Sequence, residues 1–208
     1  VPKLRTIWKS CFGDPQPYID FYFENGFPLF ETMIKSEDGK IVSMLTLIPA
    51  VFRVRRTDYP AAYIYAVATE PDERGKGYAT DLMKDTHDYL RNNGIATAVL
   101  FPASDSLYGY YERLGYRTAF AVKRSVLDTP ENGKRPTGSQ ILPCTGEEFL
   151  LLRRRFLVQS DPVCYLENPA GEYLYRECFA AGGEIVKLQN ETLQGYAVCY
   201  KIENSLLI

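Results

Sequence analysis

Val67-Ala68-Thr69-Glu70-Pro71-Asp72-Glu73-Arg74-Gly75-Lys76-Gly77-Tyr78-Ala79-Thr80 carries three patterns in succession. An apolar strand ends, a polar loop turns, and a helix starts. Ala61–Thr69 is almost continuously apolar, which predicts a strand buried on both faces. From Tyr78 to about Asn92, Ala79, Leu82, Met83, Tyr89 and Leu90 recur at helical spacing. They form one apolar face against a sheet, and Asn92-Asn93-Gly94 stops the helix. Between strand and helix, Gly75 and Gly77 have no Cβ, so the backbone can turn sharply and a ligand can approach it closely. The unpaired N–H groups of the first helical turn then face the loop with the positive end of the helix dipole. That is a place for a diphosphate, with Arg74 and Lys76 adding charge at the rim. A GxxxxGK[ST] loop is absent, and GxGxxG fails because Thr80 stands in place of the third glycine. The competing reading of the loop is a plain strand-to-helix turn.

Outward from this centre, residues 3–25 hold two short helical patterns around Gly13-Asp14-Pro15. Leu29–Lys35 reads as a strand, and Glu37-Asp38-Gly39-Lys40 as a hairpin turn. Ile41–Val54 is a long strand interrupted by Pro49, and Arg55–Pro60 is a turn. Downstream, Ala96–Phe101 is a short strand, Ser106–Leu114 a helix capped by Gly115, and Tyr116–Leu127 a further strand. Asp128–Ser139, rich in Pro, Gly and polar residues, is a linker. Gly146–Gln159 and Asn168–Ala181 are helical, followed by strands Glu184–Leu188 and Gly195–Ile202 around the turn Gln189-Asn190-Glu191. This order repeats that of residues 3–54 and predicts a partial internal duplication.

The chain of 208 residues carries 24 Lys plus Arg against 26 Asp plus Glu, a formal charge of -2. A general basic field for nucleic acid is therefore disfavoured. No apolar run approaches the length of a membrane helix. The five cysteines are dispersed without a CxxC pair, which argues for free thiols in a reducing cytosol and against a disulfide framework or zinc site. A single histidine disfavours a His-based metal site or a Ser-His-Asp triad. The chain starts Val1-Pro2 without a signal segment and ends in the apolar run Asn204–Ile208. It reads as a cytoplasmic protein and as a piece of a longer one.

Arg74-Gly75-Lys76-Gly77-Tyr78-Ala79 after an apolar strand resembles the acetyl-CoA pyrophosphate motif of the GNAT (general N-acetyltransferase) superfamily, through Arg74, Gly77 and Ala79. Tyr108-Gly109-Tyr110-Tyr111-Glu112-Arg113-Leu114-Gly115-Tyr116 resembles the family's second signature. The resemblance covers roughly residues 3–127. It implies a mixed α/β fold: a mostly antiparallel central sheet flanked by helices. Residues 1–127 would be the acetyltransferase domain, 128–139 the linker, and 140–208 an incomplete second GNAT-like half. Tandem halves of this kind resemble the enhanced-intracellular-survival type.

The resemblance implies transfer of an acetyl group from acetyl-CoA, a cosubstrate, to a primary amine of a small molecule or peptide. No metal, nucleic acid or membrane is implied, and self-association is left open. Tyr111 would protonate the departing thiolate, with Tyr108 and Tyr110 as backups if the register slips. An ordinary Tyr, pKa ~10, and a thiol, ~8.5, differ by about 2 kcal/mol, a modest gap for a positioned acid. Val67, Ala68 and Thr69 would pair with the pantetheine arm, and the Val67 N–H would polarise the carbonyl. Arg74, Gly75, Lys76, Gly77, Tyr78, Ala79 and Thr80 would hold the diphosphate. Ser104, where the family has Asn, and Tyr108 would flank the cosubstrate. The base is the weak point. Glu31 on the first strand is a candidate against a solvated strand-edge carboxylate, and Tyr65 could hold a water. The competing function is a non-catalytic acyl-CoA-binding or sensing domain; a third reading is an interaction scaffold. His87 and Arg153-Arg154-Arg155 read as ordinary helix surface, and Arg53-Arg55-Arg56 as the flank of a hairpin turn.

Overall fold

A computed structural model describes residues 1–120, 138, 140–190, 194–202 and 205–207. The fold is mixed α/β, built on a mostly antiparallel sheet. Helices α1 (Pro2–Phe12) and α2 (Gln16–Phe21), the latter running into a π-helical turn at Tyr22–Gly26, precede strands β1 (Glu31–Glu37), β2 (Lys40–Val54) and β3 (Thr57–Thr69). Helix α3 (Tyr78–Asn92), strand β4 (Thr97–Val99) and helix α4 (Tyr108–Arg113) follow. Beyond them lie β5 (Gln140–Pro143), α5 (Gly146–Leu157), β6 (Val163–Leu166), α6 (Ala170–Ala180), β7 (Glu184–Gln189), β8 (Gln194–Ile202) and β9 (Ser205–Leu207). The first sheet has the order β1-β2-β3-β4, antiparallel except for the parallel β3–β4 pair, and β6 also pairs with β2. The second sheet has the antiparallel order β5-β7-β8-β9.

Alternation along β2 sends Met44 and Ile48 to one face and Leu45 and Leu47 to the other. The first face is covered by Leu4, Ile7 and Trp8 of α1, Ile19 of α2, Tyr22 and Phe23, together with Ala170 and Tyr173 of α6. The second packs with Ala62 and Ile64 of β3 against Leu82, Met83 and Leu90 of α3 and Tyr111 of α4. A sheet buried on both faces explains why β3 is apolar almost throughout.

Several elements depart from the sequence reading, and Gln140–Pro143, unassigned from sequence, is a strand on β7. Pro49 does not interrupt β2. β1 pairs as far as Leu47 and β6 begins at Ala50, so Pro49 falls in the gap where that edge of β2 has no partner strand. The turn expected over Arg55–Pro60 contracts to Arg55-Arg56, both at positive φ, 52° and 61°, and Thr57 already belongs to β3. Such a turn ordinarily takes Asn-Gly. Here the Asp161 carboxylate accepts both backbone N–H groups at 2.8 Å and holds the turn from 105 residues away. Val163–Leu166, unassigned from sequence, is a strand on β2. Tyr116–Phe120 is not strand. Gly115 turns the chain at φ 96°, and the Tyr116 hydroxyl meets His87 Nε2 at 2.8 Å, drawing this segment toward α3 and off the β4 edge. The rest of that expected strand, Ala121–Leu127, lies outside the described residues, as does the linker apart from Gly138.

Trp8 anchors the first face. It is 1% exposed, its ring lies 4.2 Å from that of Tyr22, and its Nε1–H donates to Asp14 at 2.8 Å. Trp8→Ala should cost about 3–5 kcal/mol of unfolding free energy, read as a lowered urea midpoint in far-UV circular dichroism. An unchanged midpoint would show that α1 is dispensable to the core.

Candidate active site

The loop between β3 and α3 takes the form that its glycines allow. Gly75 and Gly77 sit at φ 80° and 88°, and a Cβ on either would meet nothing within 4 Å. Space therefore lies open in front of this backbone, and the conformation itself demands glycine. Gly77 is the N-cap of α3 and no side chain caps the helix. Its first hydrogen bond runs from Asp81 N–H to Gly77 O, which leaves the amides of Tyr78, Ala79 and Thr80 directed out of the helix end. Lys76 pairs with Glu73 at 2.6 Å. Arg74 folds back, donating to Thr69 O at 3.3 Å and to Cys11 Sγ at 3.4 Å, and so ties the loop to the end of β3 and to α1.

Just before the loop, β3 breaks its ladder. Thr46 opposes Tyr65 and Met44 opposes Ala68, so Ala66 and Val67 together face Leu45. Ala66 takes φ 52°, a bulge with an extra residue. The fully buried Ser43 fixes its far side, donating its hydroxyl to Ala68 O at 2.8 Å and meeting Thr69 Oγ1 at 3.0 Å. On the opposite edge, β3 pairs with β4 only from Ala61↔Thr97 to Tyr63↔Val99. Beyond Tyr63 the two strands part, and among the described residues Ile64–Thr69 has no partner strand on that side. The break and the parting leave one edge of Ile64–Thr69 without a partner strand next to the helix end, while the carbonyls of Ala68 and Thr69 accept from Ser43 and from Arg74 and Cys11.

Tyr111 on α4 is 9% exposed and packs against α3 and β3. Its ring lies 5.1 Å from Tyr110 and 5.8 Å from Tyr116. Burial raises its pKa above the ordinary phenol value, helped by Tyr110 and Tyr63, so the hydroxyl is protonated at neutral pH. Tyr63 and Tyr111 both line an open cavity of about 890 Å³ along β4, whose lining also includes Phe101 and Tyr165. Tyr108 is 38% exposed on the same rim. Ser104 is exposed, and its hydroxyl meets that of Ser106 at 2.8 Å. Thr80 reaches α4 through a 3.5 Å bond to the Tyr110 hydroxyl. Glu31 is exposed on β1, two strands from β3, and bonds Tyr89 of α3. The flank role of Arg53 is clear: it forks onto Asp58 with two 2.6 Å bonds.

Sequence reasoning missed the group on the other face. Glu177 of α6 accepts a hydrogen bond from the Tyr18 hydroxyl at 2.8 Å, and the Tyr18 and Tyr65 hydroxyls meet at 3.1 Å. Tyr65, the residue before the bulge, stacks on Tyr63 at 6.3 Å. Burial holds the Glu177 carboxyl above the usual carboxylate range, the Tyr18 bond opposes the shift, and Asp14 adds to it. Tyr18 and Tyr65 are likewise raised, chiefly by burial. Nothing local in sequence marks Glu177, whose partner is 159 residues away. Among the described residues no group of His, Cys, Asp and Glu is placed to hold a metal, and no helix is long and apolar enough to cross a membrane.

The family model of the acetyltransferase (GNAT) domain matches residues 1–119. A conserved protein of unknown function from Enterococcus faecalis V583, named a probable N-acyltransferase, superposes with TM-score 0.72 at 17% identity over 99% of this chain and 54% of its own. A GCN5-related N-acetyltransferase from Anabaena variabilis ATCC 29413 gives TM-score 0.72 at 17% identity, over 99% and 53%. Eis1 from Mycobacterium abscessus gives 0.66 at 15%, over 96% and 50%. The chain thus spans about half the length of these structures. At such identities the likeness is one of fold, and the fold is the one expected from the two motifs. No curated protein matches the sequence.

The raised Glu177 pKa has a consequence for stability. Folding favours the protonated form, so the folded state binds more protons than the unfolded chain between the two pKa values. Stability therefore falls as pH rises from the ordinary carboxylate value through the folded one, and the penalty is complete above it. Glu177→Gln should raise the Tm at pH 7.5, with the gain vanishing near pH 3.5. A gain of equal size at both pH values would refute the burial penalty.

Proposed function

The chain belongs to the GNAT acetyltransferase family, and from that premise we propose that it is an acetyl-CoA-dependent N-acetyltransferase acting on a primary amine of a small molecule or peptide, in the cytoplasm. The observation that carries this reading is the bulge at Ala66-Val67, on a strand that parts from β4 and runs directly into an uncapped helix end. A pantetheine arm needs an unpaired strand edge, and a diphosphate needs amides that no side chain has taken. Both lie in the right order along one stretch of backbone.

On this reading the amides of Gly75–Thr80 hold the diphosphate, with Arg74 and Lys76 at the rim. Ala68 and Thr69 bond the pantetheine, and Val67 N–H receives the thioester oxygen. Ser104 and Tyr108 flank the thiol end. The amine nitrogen attacks the carbonyl carbon; the C–N bond forms and the C–S bond breaks. The leaving sulfur takes the Tyr111 proton, and the nitrogen loses a proton that restores neutral Tyr111. A Tyr held protonated by burial is an acid at this step and a poor base. Residues 1–127 form the acetyltransferase domain, and 140–208 belong to a second half of related design. The second reading, a non-catalytic acyl-CoA sensor, draws on Ser104, whose hydroxyl is turned to Ser106.

Isothermal titration with acetyl-CoA and thiol release against a panel of primary amines separate the two. An acetyltransferase binds and releases thiol; a sensor only binds; absence of binding at millimolar acetyl-CoA overturns both. Tyr111→Phe should lower kcat by about 10²-fold while leaving acetyl-CoA affinity unchanged. Unchanged kcat would remove the acid assignment. Gly77→Val should abolish acetyl-CoA binding, because the φ of 88° is closed to a branched residue and the new side chain enters the open space before the amides. Retained binding would move the diphosphate elsewhere.

A further inference from the structure

Proton bookkeeping at the Tyr18 hydroxyl orients the whole buried pair. Tyr18 has one O–H, and it is given to Glu177 Oε1 at 2.8 Å. The 3.1 Å contact with Tyr65 must then be made by the Tyr65 O–H donating to the Tyr18 oxygen. Tyr65 is left with a free acceptor lone pair and no proton to offer. It sits one residue before the bulge that faces the parted strands. The groups around Glu177 are acidic or neutral. They are Asp14 on the α1–α2 loop, Tyr18 on α2, Tyr65 on β3, Tyr173 and Cys178 on its own helix, and Tyr200 on β8. Arg5 of α1 and Arg176 of α6 are turned to Asp20 and Asn25. The Tyr173 hydroxyl, on a residue 5% exposed, has no hydrogen-bond partner, and burial raises its pKa with Tyr65 and Glu177 adding to the shift. An acceptor-only edge in a negative setting, walled by the rings of Trp8 and Tyr22 at 5.8 and 6.2 Å from Tyr65, suits a protonated amine with an apolar substituent.

We propose that Glu177, carried by the C-terminal segment, takes up the proton of the acceptor ammonium through the Tyr65–Tyr18 hydroxyl pair. This rests on the acetyltransferase reading and supplies the base that reading lacks. The ammonium N–H proton passes to the Tyr65 oxygen as the Tyr65 proton passes to Tyr18 and the Tyr18 proton to Glu177. The amine is left neutral with its lone pair free, and the carboxylate becomes a carboxylic acid. An amine of pKa about 10.4 is otherwise neutral in only about one molecule in 2,500 at pH 7. Glu177 is the terminal proton acceptor and acts through Tyr18 and Tyr65; Tyr65 is the group that touches the amine.

The test is kcat/KM against pH for 2-phenylethylamine at saturating acetyl-CoA, followed by thiol release. Glu177→Gln should lower kcat/KM about 10²-fold at pH 7, with the deficit closing as the pH approaches the amine's own pKa, and should leave acetyl-CoA affinity untouched. Tyr18→Phe, which keeps the carboxylate and cuts the relay, should reproduce the same pH-dependent loss. A deficit equal at all pH values, no deficit in either variant, or a wild-type protein that binds acetyl-CoA but acetylates no apolar primary amine would overturn the proposal. Failure of the wild type to bind acetyl-CoA would instead sink the acetyltransferase reading, and this relay with it.

Discussion

Everything distinctive about the molecule follows from a strand that stops pairing in its own middle. β3 is bonded on both edges from Ala61 to Tyr63, then loses β4 on one side and slips register against β2 on the other. Either event alone would leave a local defect. Together they leave one edge of β3 without a partner strand at the centre of a two-faced sheet, where an unmet N–H or C=O would cost about 1–3 kcal/mol. Such a site persists only if its surroundings hold it. Ser43 beneath the bulge and the Arg74 and Cys11 contacts at the Thr69 carbonyl do so. The glycine loop that follows then sets the open end of α3 against the same gap.

The C-terminal segment is part of that support. β6 extends β2 past the end of β1, Asp161 clasps the Arg55-Arg56 turn, and α6 lays Ala170 and Tyr173 on the α1 face. Arg55 and Arg56 in left-handed geometry would be unfavourable by about 1–2 kcal/mol each, and the carboxylate that accepts both amides offsets this. The long β2–β3 hairpin is thus fixed at its tip by one contact from this segment and along its edge by another. A segment that braces the sheet in this way also delivers Glu177 next to Tyr65.

What could be read in the sequence is what local physics determines. The loop at Gly75 and Gly77, the amphipathic α3 and the Asp38-Gly39 hairpin each announce themselves within a few residues, and the structure has them at those positions. β6 could not be read, because four residues between prolines carry no period to distinguish. The Arg55-Arg56 turn could not either, since its stabilising partner lies in another segment. Tyr116–Phe120 has strand composition, but one turn at Gly115 and one bond to His87 outweigh propensity. Glu177 is the extreme case. It is one of 26 acidic residues, on a helix with no motif, and only the tertiary approach of α6 to α2 gives it a tyrosine.

The positions of the two titrating groups also make chemical sense of the sheet between them. A general acid and a general base in hydrogen-bond contact would exchange their proton and lose their separate states. Here Tyr111 belongs to the α3–α4 side and Glu177 to the α1–α2 side. The connection between them runs through Tyr63, which influences Tyr111 electrostatically and stacks on Tyr65, and stacked rings carry no proton. Burial raises both pKa values, with opposite use. It keeps Tyr111 protonated until a thiolate draws the proton away, and it brings a carboxylate closer to an ammonium it would relieve. On the proposed reading, the reacting carbonyl lies at the bulge between these two sides, and β3 is both its hydrogen-bond donor and the partition that keeps acid and base apart.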